Sequence, residues 1–132
     1  MKISVDTNVL VRAVLQDDEE QSRAAAKLLL SASFIAVPLP CLCELVWVLC
    51  RGASLTRENV AAAIRALLHA KNVVMNRPAV EAGLALLEAG GDFADGAMAY
   101  EGSVLGADVF VSFDRQAVAL LTKQGKSARL LS

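Results

Sequence analysis

The sequence predicts an α/β fold of three layers, with helices on both faces of a central parallel sheet of about four to five strands. Short apolar runs alternate along the chain with longer Ala/Leu-rich segments of helical character, the pattern of parallel strands joined by helical crossovers. A length of 132 residues suits one domain, 1–132, with a single core, and no linker or internal repeat interrupts it.

Residues 2–5 (KISV) read as a short buried strand ending at Asp6, and Thr7 and Asn8 then open a short helix carrying Val9, Leu10, Ala13 and Val14. The acidic run at 17–20 precedes a helix to about Leu30 and suits the positive end of its dipole. A second strand at 34–37 is closed by Pro38; the helix after it runs to about Cys50 and ends at Gly52. Thr56 is placed to cap a helix from Arg57 to His69. Val73, Val74 and Met75 form a third strand, and Pro78 starts a helix that runs to about Glu88 and stops at Gly90-Gly91. Asp92 caps a helix over 93–105, terminated by Gly106. VFVS at 109–112 is a buried strand, Asp114 caps a helix to about Lys123, and SARLL supplies the last strand.

Hydrophobic residues make up 55% of the chain and aromatics 5%, so the core is aliphatic; 20% charged residues excludes a disordered chain. A formal net charge of −1 disfavours nucleic-acid binding through a broad cationic face, so a polyanion would need a local basic rim plus metal. Cys41, Cys43 and Cys50 lie in one apolar segment without a CxxC, and His69 is the sole histidine. That excludes a zinc or disulfide framework and leaves buried reduced thiols. The N-terminus lacks signal-peptide architecture, and Pro38, Pro40 and Glu44 break the apolar run from Phe34 to Cys50. A soluble cytoplasmic protein without a membrane span is expected.

Four acids carry the functional signal. In parallel sheets ligands bind beyond the carboxyl ends of the strands. Asp6 follows the first strand and Asp114 the VFVS strand; the helix holding Asp95 runs antiparallel to VFVS, and the helix holding Glu44 begins just after the second strand. Right-handed crossovers then put all four on one sheet edge. Carboxylates repel and are costly to desolvate, so gathering them calls for a hard divalent cation, Mg²⁺ or Mn²⁺. Local roles compete: Asp6 suits a turn with Asn8, Asp114 an N-cap, and Asp92 reads as a cap with Asp95 one turn in. Glu44 resists such a reading. It is the only charged residue between Lys27 and Arg51, in a helix apolar on every face, where a lone buried carboxylate costs on the order of several kcal/mol. Trp47, one turn later, reads as core packing, and His69 as a surface residue at a helix end.

VDTNVL at 5–10, the acid within LCELVWVL at 42–49, DFADGAMAY at 92–100 and VSFDR at 111–115, in this order and spacing, resemble the motifs of PIN-domain ribonucleases. The resemblance spans essentially the whole chain and is closest to VapC-type toxins of type II toxin–antitoxin pairs. It implies a PIN-like fold in which Asp6, Glu44, Asp95 and Asp114 hold Mg²⁺ or Mn²⁺ and are the catalytic acids. Asn8 and Ser112 match positions that keep carboxylates and water in place. It further implies an RNA substrate, a cognate antitoxin over the site and a homodimer. The sequence departs from the pattern at Gly96, where Ala is more usual and whose presence is expected to loosen that helix start. It departs again at CRGAS (50–54), which lacks an aromatic often found there.

The implied reaction is in-line hydrolysis of an RNA phosphodiester, with Asp95 or Glu44 orienting or deprotonating the water. Arg12 and Arg115 are candidate phosphate contacts, each equally an ordinary surface charge. The alternative is a catalytically silent PIN-like binding module whose acidic edge receives a basic partner segment. A phosphoryl-transfer signalling domain fits poorly, because the first motif is DTN and no strand-ending Asp lies near Met75.

Overall fold

The computed structural model describes all residues 1–132 and shows strands alternating with helices throughout. The chain divides into two units, Met1–Arg77 and Pro78–Ser132.

The first unit contains β1 (Lys2–Ser4), α1 (Thr7–Leu15), α2 (Glu19–Ser31), β2 (Phe34–Ala36), α3 (Leu39–Trp47), a π-helical turn (Val48–Gly52), α4 (Arg57–His69) and β3 (Val73–Val74). The strands form a parallel sheet in the order β1-β2-β3, with Ile3 opposite Ile35 and Ile35 opposite Val73. Side-chain caps fix the helix starts: Asp6 for α1, Asp18 for α2 and Thr56 for α4 each accept a backbone N–H from the first turn. Pro38 and the prolines' fixed φ set the start of α3, which has no side-chain cap. Leu10, Leu42, Leu45, Leu49, Val60 and Ile64 are fully buried, at about 1.5–3 kcal/mol each. Asn72 ties the end of α2 to the start of β3 by donating its Nδ2 to the carbonyls of Leu29 and Ala32.

The second unit contains most of α5 (Arg77–Glu88), then α6 (Phe93–Val104), β4 (Phe110–Ser112), α7 (Arg115–Lys123) and β5 (Ala128–Leu130). β4 and β5 pair in parallel, with Phe110 opposite Ala128 and Ser112 opposite Leu130. Gly90, at φ +103°, lets the chain leave α5 in a left-handed conformation. Phe93, fully buried, packs its ring over Gly83 of α5, where an added Cβ would come within 2.7 Å of the ring.

Several expectations need correction. The single sheet of four to five strands is instead a three-stranded sheet and a two-stranded sheet. Strands of two or three residues pair only with their neighbours in the chain, and the division follows the two units. Consequently the four acids do not share the edge of one sheet: β1–β3 serve the first pair and β4–β5 the second. α3 stops at Trp47 and continues as the π-helical turn, three residues short of the expected helix end at Cys50. No helix is long and apolar enough to cross a membrane.

Candidate functional site

In the first unit, α1 packs against both α2 and α3, which carries the first motif to the second. Asp6 follows β1 and caps α1, its Oδ1 accepting the Val9 N–H at 3.2 Å. The Thr7 hydroxyl donates to Oε1 of Glu44 on α3. The Cys41 thiol lies one turn before Glu44 and is buried. Burial pushes its pKa up, the Thr7 hydrogen bond opposes this, and the negative charges of Asp6 and Glu44 push it further up. Asp6, Thr7, Cys41 and Glu44 therefore form one electrostatic neighbourhood.

Glu44 itself is exposed. The argument from a buried lone carboxylate fails, because α3 is not apolar on every face. Leu42, Leu45, Val46 and Leu49 turn inward, while Glu44, Trp47 and Arg51, spaced by about a turn, face outward. Trp47 is 63% exposed and is not core. Cys43 and Cys50 are half-buried and only Cys41 is buried, so the three thiols are not equally shielded.

An open groove of about 370 Å³ lies beside Asp6 and is lined by Asn8, Val9, Arg12, Gln21 and Leu28. Asn8 is exposed on its rim. Arg12 is committed locally: Nη1 donates to both Asp17 oxygens at 2.9 and 3.0 Å, and Nε to Gln21 at 2.7 Å. It bridges α1 to α2.

In the second unit, Asp95 is half-buried in the first turn of α6. Burial pushes its pKa up, and the charges of Asp92 and Asp114 push it further in the same direction. Asp114 caps α7 by accepting the Ala117 N–H at 3.1 Å, and its own N–H donates to Ser112 Oγ at 3.0 Å. Ser112 thus shapes the turn that presents Asp114. Asp92 caps α6 through the Ala94 N–H at 3.4 Å, and its charge also acts on Asp95. Arg115 is exposed and takes part in neither the Arg12–Asp17 nor the Arg23–Glu19 ion pair. A cavity of about 440 Å³ in this unit is lined chiefly by apolar atoms around Tyr100, Phe110 and Leu121 and includes neither Asp95 nor Asp114.

Gly96 does the opposite of loosening the start of α6. A Cβ at this position would lie 2.5 Å from the Ala82 carbonyl oxygen and 2.9 Å from Leu86 Cβ, so its absence lets α6 settle directly onto α5. The residue next to Asp95 is held by a helix–helix contact.

Sequence reasoning missed two contributors. Thr7 stood inside the DTN triplet, where a hydroxyl next to a strand-ending acid was the available signal. The effect of Asp92 on Asp95 was obscured by its obvious role as a cap. In neither unit do three His, Cys, Asp or Glu side chains converge enough to enclose a metal by themselves. Each unit nonetheless presents hard carboxylate oxygens, and Asp95, half-buried and repelled by Asp92 and Asp114, has a charge that a cation would stabilise. This donor set fits Mg²⁺ or Mn²⁺, because Mg²⁺ keeps several waters and takes one or two carboxylates plus substrate phosphate. It fits a soft-metal site poorly.

A family model described as "PIN domain" matches residues 3–120, a span that includes all four acids. No curated protein matches the chain.

Proposed function

The chain belongs to the PIN-domain family, a nuclease-type fold whose members are generally metal-dependent nucleases, and from that premise we propose that it is a Mg²⁺- or Mn²⁺-dependent endoribonuclease. Asp6, Glu44, Asp95 and Asp114 are the catalytic acids and the residues that would ligate the ion. The observation that carries the reading is the family match across both carboxylate pairs. Asp6 and Asp114 each follow a parallel strand and cap the next helix, as nuclease ligands presented at strand ends should.

The bound ion supplies Lewis-acid polarisation of a phosphate oxygen and a lowered pKa for water. The protein's own residues do the rest. Thr7 holds Glu44 in one orientation through its hydroxyl. Ser112 fixes the turn under Asp114, and each capping bond occupies a single oxygen of Asp6 and Asp114, Oδ1, leaving Oδ2 outside the cap. Asp95 takes the proton from the attacking water, because Glu44 Oε1 is already engaged by Thr7 while no hydrogen bond occupies the Asp95 carboxylate. Arg115 contacts the phosphate backbone, and Asn8 holds water beside Asp6.

Within the family, the motif resemblance to VapC-type toxins supports a finer reading. The protein is then the cytoplasmic toxin of a toxin–antitoxin pair, a homodimer held inactive by a cognate antitoxin over the acids. Sequencing of RNA ends after brief induction in cells, with Asp6→Asn as control, tests it. New ends and growth arrest with the wild type alone are expected; identical RNA ends with both proteins would exclude a toxic ribonuclease.

One observation favours a second reading. Asp6, Asp92 and Asp114 are all satisfied as helix caps, which suits a silent PIN-like module whose acids receive a basic partner segment. Tight partner binding by a protein that cuts no RNA under any metal condition would favour it.

A further inference from the structure

Trp47 and Phe113 are the only exposed aromatic side chains, at 63% and 75%, and both adjoin an acid of the quartet. Large aromatic rings are normally buried, because each carries up to about 250 Å² of apolar surface. The other aromatics follow that rule: Phe93 is fully buried, while Phe34, Tyr100 and Phe110 are partly so. Trp47 lies three residues after Glu44 on the outward face of α3, so their Cβ atoms are about 5–6 Å apart. Arg51, also exposed, follows within the π-helical turn that begins directly after Trp47. Such turns are frequent at functional sites. In the second unit Phe113 stands between Ser112, whose hydroxyl shapes the turn, and Asp114.

An exposed ring beside a carboxylate has little to gain from the carboxylate, which repels the negative face of the π-system. Both rings gain from a nucleobase, whose planar face stacks without regard to sequence, while a neighbouring arginine meets the backbone. We propose that Trp47 and Phe113 are positioning residues, each stacking an unpaired nucleobase of the RNA beside the acid of its own unit, Glu44 for Trp47 and Asp114 for Phe113. The proposal rests on the ribonuclease reading and adds to it which residues hold the bases.

Trp47 is the sole tryptophan, so its emission reports on its own surroundings. The Asp6→Asn variant with Mg²⁺ is titrated with a fluorescein-labelled single-stranded oligoribonucleotide, following labelled-RNA anisotropy and tryptophan emission in parallel. Saturable quenching that tracks the anisotropy is expected, with a blunt-ended duplex of the same sequence giving no quenching. Trp47→Ala and Phe113→Ala should each raise KM at least about fivefold with kcat and melting temperature little changed, and Trp47→Phe and Phe113→Tyr should recover most of it. Anisotropy that rises while emission stays constant overturns the proposal and leaves the ribonuclease reading intact. Emission that varies with protein concentration but not with RNA also overturns it, showing Trp47 in a contact between copies. A wild-type protein that neither binds nor cuts RNA overturns both.

Discussion

The Thr7 hydroxyl donates to the Glu44 carboxylate across 37 residues of sequence, joining the first turn of α1 to the middle of α3. It holds Glu44 in one orientation, where an unpartnered surface acid would be mobile. Thr7→Val keeps the shape and removes the donor. Because Glu44 is exposed, stability should barely move, while kcat falls by about tenfold, the scale of one lost charge-assisted hydrogen bond. Thr7→Ser should retain activity. Steady-state kinetics with a melting curve for each variant check this.

Asp95 gives a pH signature in metal-free protein. Its carboxyl has a higher pKa folded than unfolded, so the folded state holds the proton more tightly. Stability is therefore lost as pH rises from the ordinary aspartate value, about 3.9, through the raised one. Asp95→Asn removes that loss. In EDTA the variant should melt higher than wild type at neutral pH by a few degrees at most, given partial solvent screening, and the gap should close at acid pH. Mn²⁺ should raise the wild-type midpoint and leave the variant nearly unmoved. A gap that grows on acidification would contradict the assignment.

Gly96→Ala tests the close approach of α6 to α5. The added methyl meets a backbone carbonyl at 2.5 Å, which cannot rotate away as a side chain would. A loss of about 1–3 kcal/mol is expected from chemical denaturation, although alanine is the better helix former and the more usual residue of the motif.

The two candidate phosphate contacts should separate. Arg115→Ala is expected to raise KM for RNA several-fold and to reduce the salt dependence of binding. Arg12→Ala should instead lower stability by up to about 1 kcal/mol through the lost Asp17 and Gln21 bonds. Binding isotherms at two salt concentrations, with melting curves, distinguish them.

Much of the local structure was legible because capping residues and glycines punctuate the chain. Thr56, Asp92 and Asp114 all cap where their spacing says they should, whereas Asp6, read as ending a strand in a turn with Asn8, caps α1 through the Val9 N–H; the family motifs sit at the resulting helix starts. Long-range facts were less legible. Alternating strands and helices say that strands are parallel, yet not how many join one ladder, and five strands of two or three residues divide into two sheets. CLCELVWVLC looks apolar on all sides because cysteine, valine and tryptophan are counted as hydrophobic. Only packing shows that Glu44 and Trp47 share the outward face. Gly96 reads as a weak helix former until the Ala82 carbonyl occupies the space that a side chain would need.

The central claim is the proposal that Asp6, Glu44, Asp95 and Asp114 serve a divalent-ion-dependent cleavage of RNA. The most direct measurement is cleavage of an end-labelled RNA by purified protein across a Mn²⁺ titration, comparing wild type with Asp6→Asn and Asp114→Asn. Wild-type cleavage should appear with Mn²⁺ and vanish in EDTA, and each substitution should cost at least about a hundredfold in rate. Full wild-type activity in EDTA, or either variant cutting at the wild-type rate, would contradict the claim.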